Sequence, residues 1–153
     1  MCKRVIVSGE VVEGYRVASQ ASTDYPYGTI ERQKPLFKKL GLNLDEMYNG
    51  TLNISINPHT FEIVKPQFTI EKVEWTNLHP PETFSFSKCR ILFRGKSYEG
   101  WVYYPHPEIK KRHLQDKSKI EVIAQKIPDI KYGDEVAIEL NSEEILINDS
   151  ESQ

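Results

Sequence analysis

Cysteine is scarce, with only Cys2 and Cys89 in 153 residues. Two thiols that far apart form neither a disulfide framework nor a metal-ligand cluster, which points to a reducing compartment and leaves Cys89, within an apolar run, as a small buried hydrophobe. No stretch reaches the roughly 18 apolar residues of a membrane span, and the first residues lack the apolar core of a secretory signal. A cytoplasmic protein with no membrane partner is expected. A dominant charge is also missing. The formal net charge is −2 with 27% charged residues, which argues against nucleic acid or an acidic membrane as a partner. The basic run Lys110-Lys111-Arg112-His113 reads as a solvated face or a local phosphate contact. No Gly-x-Ser-x-Gly or Walker-type loop is present and neither cysteine adjoins a histidine, so hydrolase and P-loop chemistry have no support. His59, His79, His106 and His113 lack close metal-site spacing.

What the chain does have is eight Tyr, six Phe and two Trp among many β-branched residues, which favours strands. The length suits one domain, spanning 1–147, followed by a polar tail over 148–153. The most informative stretch is Tyr48-Asn49-Gly50-Thr51-Leu52-Asn53-Ile54-Ser55-Ile56. Asn49-Gly50 signals a tight turn, and strict alternation follows it. With a period of two, Leu52, Ile54 and Ile56 face a core while Thr51, Asn53 and Ser55 face away from it. Hydroxyl and carboxamide oxygens on one face suit Mg²⁺, which keeps several waters and shares its shell with phosphates. An ordinary half-exposed strand has the same pattern.

Elsewhere, Arg4 to Val12 reads as a strand with a bulge at Gly9, and Tyr15 to Ser19 as its hairpin partner. Gln20 to Ile30 is a loop whose Tyr25 and Tyr27 could stack on a flat ring or pack on the protein. A helix is expected over Glu31 to Leu40, starting only near Pro35 because an interior proline removes a donor and stopping at Gly41. Short strands follow near Phe61 to Val64 and Phe68 to Trp75. A hairpin joins Ser87 to Phe93 and Ser97 to Tyr104 through Arg94-Gly95-Lys96. Two more strands are expected at Ile120 to Ala124 and at Glu135 to Leu140, the second after a turn at Lys131-Tyr132-Gly133-Asp134. Many short strands around one helix imply a mainly β, closed or nearly closed barrel with a short helical insertion.

Five pieces, in order and approximate spacing, resemble the archaeal-type, CTP-dependent riboflavin kinases: Gly9-Glu10-Val11-Val12, Leu36-Phe37-Lys38-Lys39-Leu40-Gly41, Gly50-Thr51-Leu52-Asn53, Ile120-Glu121-Val122-Ile123-Ala124 and Tyr132-Gly133-Asp134-Glu135-Val136. The resemblance implies a cradle-loop β-barrel that transfers the γ-phosphoryl group of CTP, or another nucleoside triphosphate, to riboflavin, giving FMN. It puts Thr51 and Asn53 at the catalytic Mg²⁺, Glu121 and His113 at the flavin, and Glu13, Gly14, Tyr15 and Lys126 at the nucleotide. On the residues alone, Glu121 reads first as an outward strand carboxylate paired with a lysine. Three features depart from the family. Only Glu13-Gly14-Tyr15 stands where it has a glycine-rich G-x-G-E-G-x-Y loop. His113 replaces a threonine, and Lys126-Ile127-Pro128-Asp129 replaces a Met-Lys-Leu-Arg-like segment. These departures keep open a binding or interaction barrel without turnover, and more remotely a DNA-binding regulator.

Overall fold

The computed structural model describes residues 3–12, 29–73, 82–106 and 117–148. Alternating segments pair as antiparallel strands: β1 (Arg4–Val12), β2 (Leu52–Ser55), β5 (Glu82–Phe93), β6 (Lys96–Pro105), β7 (Lys119–Ala124) and β8 (Glu135–Asn141). Their order, β5-β6-β7-β2-β1-β8, closes because β8 also pairs with β5. The result is a six-stranded antiparallel barrel, the β-barrel with one helix that the sequence implies. β4 (Phe68–Val73) extends the sheet from the first half of β5, and β3 (Thr60–Ile63) pairs with β9 (Ile145–Asn148) as a separate ribbon.

Pleating sorts the apolar residues into two clusters on opposite sides of the same wall. Val7, Val11, Ile54, Cys89, Ile91, Val102, Ile120, Val122, Ile138 and Leu140 fill the interior. Phe84, Phe86, Tyr103 and Ile123 project outward and meet Ile30 and Phe37 of the helix α1 (Thr29–Lys39). Phe37 is fully buried and packs edge-on against Phe84 and Phe86, each at 5.2 Å between ring centres.

That packing explains a departure from expectation. The helix begins at Thr29 rather than near Pro35, and carries Pro35 in its interior. Burial of Ile30, Gln33, Lys34 and Phe37 holds the turns on both sides of the proline against the barrel, offsetting a penalty of about 3 kcal/mol for its lost donor and ring clash. The stop is as expected. Gly41 has φ of 107° and donates to the Lys38 carbonyl, while Leu42 donates to that of Phe37, the double bond of a Schellman cap.

Two glycines behave differently from the sequence reading. β1 pairs with β8 without interruption from Arg4 to Glu10, so Gly9 makes no bulge. A Cβ there would lie 2.5 Å from Ile54 Cγ2 and 2.9 Å from the Ser55 carbonyl oxygen, and glycine is what lets β2 come this close. Asn49 and Gly50 form a bend in which neither residue has positive φ. Residues 40–48, just before them, form no strand to be folded back upon, and the Tyr48 amide bonds instead to the Ala124 carbonyl at 2.9 Å. The left-handed hairpin turn is at Arg94-Gly95, with φ of 52° and 78°, as the loop between β5 and β6 requires.

Candidate functional site

β2 and β7 lie side by side, with Asn53 opposite Glu121 and Leu52 opposite Val122. Residues directly opposite in an antiparallel pair share a face. Leu52 and Val122 therefore turn inward, and Asn53 and Glu121 stand together on the outer wall, on the side that carries α1. Thr51, two residues before Asn53, reaches the same place. Its Oγ1 donates to Glu121 Oε2 at 3.3 Å, long for a hydroxyl donor and correspondingly weak.

Asn53 is only 9% exposed, yet its carboxamide, which makes no hydrogen bond among the described residues, is not sealed from solvent. Burial pushes the Glu121 carboxyl up to about 7, and the Thr51 hydroxyl and the charge of Lys119 offset only part of that effect. Here a carboxylate, a hydroxyl and a carboxamide share one partly buried face of the wall.

The alternating residues on the other side of the wall open into a cleft of about 470 Å³ at the end of the barrel. Val11, Leu52, Val122 and Ala124 give it an apolar lining, completed by Tyr48, Gly50, Thr51 and residues 125–132. Thr51 thus borders both the outer polar cluster and the cleft. Lys126 lines the cleft with an exposed side chain and no partner among the described residues. A cation in such a position complements an anionic ligand.

Of the residues singled out from the sequence, Thr51, Asn53 and Glu121 come together, and Lys126 lines the same cleft as Thr51. Glu13, Gly14, Tyr15 and His113 fall outside the described residues, as do Tyr25 and Tyr27. The sequence reading marked Lys126 but missed Tyr48 and Tyr132 as residues that line the same cleft, which becomes visible only once β2 and β7 are paired. It also missed a second polar cluster, in which His106 Nε2 lies 2.6 Å from Ser85 Oγ, itself 3.1 Å from Thr69 Oγ1. Ser85 is 1% exposed, and through it this cluster ties β4, β5 and the residue after β6 together.

Among the described residues, no three His, Cys, Asp or Glu side chains are grouped to hold a metal. The oxygen donors of Thr51, Asn53 and Glu121 fit a different site, that of a hard cation completed by water and phosphate oxygens rather than enclosed by carboxylates. A cation there would relieve the costly negative charge of Glu121, and the Asn53 amide makes no hydrogen bond among the described residues that would compete for it. Among the described residues, no helix is long and apolar enough to cross a membrane. No family model matches the chain, and no curated protein matches it significantly.

Proposed function

We propose that this chain is a riboflavin kinase-like phosphotransferase, moving the γ-phosphoryl group of CTP or another nucleoside triphosphate to riboflavin to give FMN. One observation carries the reading: Thr51, Asn53 and Glu121, which the resemblance assigns to metal and flavin, share one face of β2 and β7, and Thr51 also borders a cleft that Lys126 lines.

Phosphoryl transfer asks little covalent chemistry of the protein, only the alignment of donor and acceptor and the offsetting of phosphate charge. Thr51 and Asn53 would hold Mg²⁺, which when bound neutralises charge on the phosphate oxygens. Lys126 attracts the nucleotide phosphates to the cleft. Glu121 accepts from Thr51, fixing the direction of that hydroxyl, and its second carboxyl oxygen remains for a donor on the flavin or its ribityl chain. Thr51 lies between the two binding regions, where donor and acceptor have to meet.

The test is a riboflavin phosphorylation assay with Mg²⁺, comparing CTP with ATP while following flavin fluorescence. FMN formation supports the reading. Quenching without FMN replaces it with a flavin-binding barrel that lacks turnover, and absence of both signals removes riboflavin from consideration.

A further inference from the structure

Six large hydrophobic side chains are exposed among the described residues, and the two aromatic ones, Tyr48 at 56% and Tyr132 at 61%, both line the barrel-mouth cleft. The remaining described aromatics are buried or half-buried. Their backbones are fixed although their rings are open to solvent. The Tyr48 amide bonds to the Ala124 carbonyl at 2.9 Å. Tyr132 sits in a turn closed by Asp134 N–H to the Lys131 carbonyl at 3.1 Å and Lys131 N–H to Asp134 Oδ2 at 3.0 Å, and Gly133 N–H ties that turn to the Val11 carbonyl at 2.8 Å. A fixed backbone beneath each ring leaves only side-chain torsions to be ordered when a ligand arrives.

We infer that Tyr48 and Tyr132 hold the heteroaromatic ring of a nucleoside triphosphate in this cleft, with Lys126 drawing its phosphates. Aromatic side chains stack on any nucleobase, because every base has a π face. The lysine decides between ring-bearing ligands, since riboflavin brings no phosphate to match it. The inference rests on the nucleotide-dependent reading above and adds residues that determine nucleotide affinity without touching the transferred phosphoryl group.

The experiment is calorimetric titration of CTP, ATP and inorganic tripolyphosphate into the full chain with Mg²⁺ and without riboflavin. It compares the unaltered protein with Tyr48→Ala, Tyr132→Ala, Tyr48→Phe and Tyr132→Phe. Each alanine change should weaken nucleotide binding about tenfold, the scale of one lost stacking contact. The phenylalanine variants should stay within about twofold of the unaltered protein, because the ring is kept, and tripolyphosphate affinity should not respond to any of the four. Unchanged nucleotide affinity in both alanine variants overturns the inference, as do equal losses for tripolyphosphate and no nucleotide binding at all. If the tyrosines act on nucleotide affinity as stated and no FMN forms, the phosphotransfer reading fails and the nucleotide cleft stands. If FMN forms with an unchanged nucleotide KM in the alanine variants, the cleft assignment fails alone.

Discussion

Glu121→Gln is the change that tests the electrostatics of the site most directly, because it alters charge while keeping size and hydrogen-bonding capacity. Burial holds the folded carboxyl near pH 7, against an ordinary value of 4.5. Between those values the folded chain keeps a proton that the unfolded chain has released, so rising pH favours unfolding. At about 1.4 kcal/mol for each tenfold difference in proton affinity, the penalty grows to about 3 kcal/mol by pH 8 and is absent at pH 4. Glutamine carries no charge to desolvate and should escape it. For a chain of this size 1 kcal/mol corresponds to about 2–4 °C in Tm. The Tm advantage of Glu121→Gln over the unaltered protein should therefore widen by about 6–12 °C between pH 4 and pH 8, measured by circular dichroism in metal-free buffer. Comparing the two proteins cancels the titration of every other group. Parallel Tm profiles across that range would show that Glu121 ionises in the fold at no cost, and the account of a strained carboxylate would be refuted.

Three further outcomes are expected. Thr51→Ala should lower FMN formation at least about 100-fold, as the loss of one positioned electrostatic contact does, with far-ultraviolet circular dichroism unchanged; full turnover would remove Thr51 from the site. Gly9→Ala should cost about 1–3 kcal/mol, the range for overpacking, because its methyl group meets Ile54 and the Ser55 carbonyl, and should lower the urea midpoint with little change in slope. In a Cys2→Ser background Cys89 should react with a thiol reagent only as fast as the protein unfolds, since it is 1% exposed and burial pushes its thiol far from ionisation; rapid labelling would show that the barrel wall opens.

How much of this was legible beforehand depends on whether the controlling contact is local. Alternation in residues 51–56 correctly told Ile54 and Ile56 from Asn53 and Thr51, because pleating is a property of one strand. Gly41 announced the end of α1 because a Schellman cap is made within six residues. Cys89 was readable as core from its apolar neighbours. Pro35 misled because the burial of Phe37 that sustains the helix involves β5, more than forty residues away. Gly9 misled because its constraint comes from Ile54 on another strand. Ile145-Leu146-Ile147 is too short an apolar run to declare itself a strand, and β9 exists through its pairing with β3. The candidate site was split in the same way. Sequence gave the outward direction of Asn53, whereas its position opposite Glu121 is a matter of register between strands 68 residues apart.

The seam that closes the barrel also governs the order in which it can be built. β8 is bordered by β1 on one side and by β5 on the other, so both strands must wait for residues 135–141 before their free edges are covered. During synthesis on the ribosome, β1 and the second half of β5 would present unpaired amides and carbonyls throughout the making of more than forty intervening residues. Open edges of that kind recruit other chains. A chain ending just before Glu135 would keep an adhesive half-built sheet, whereas one released with residues 135–141 in hand could seal itself.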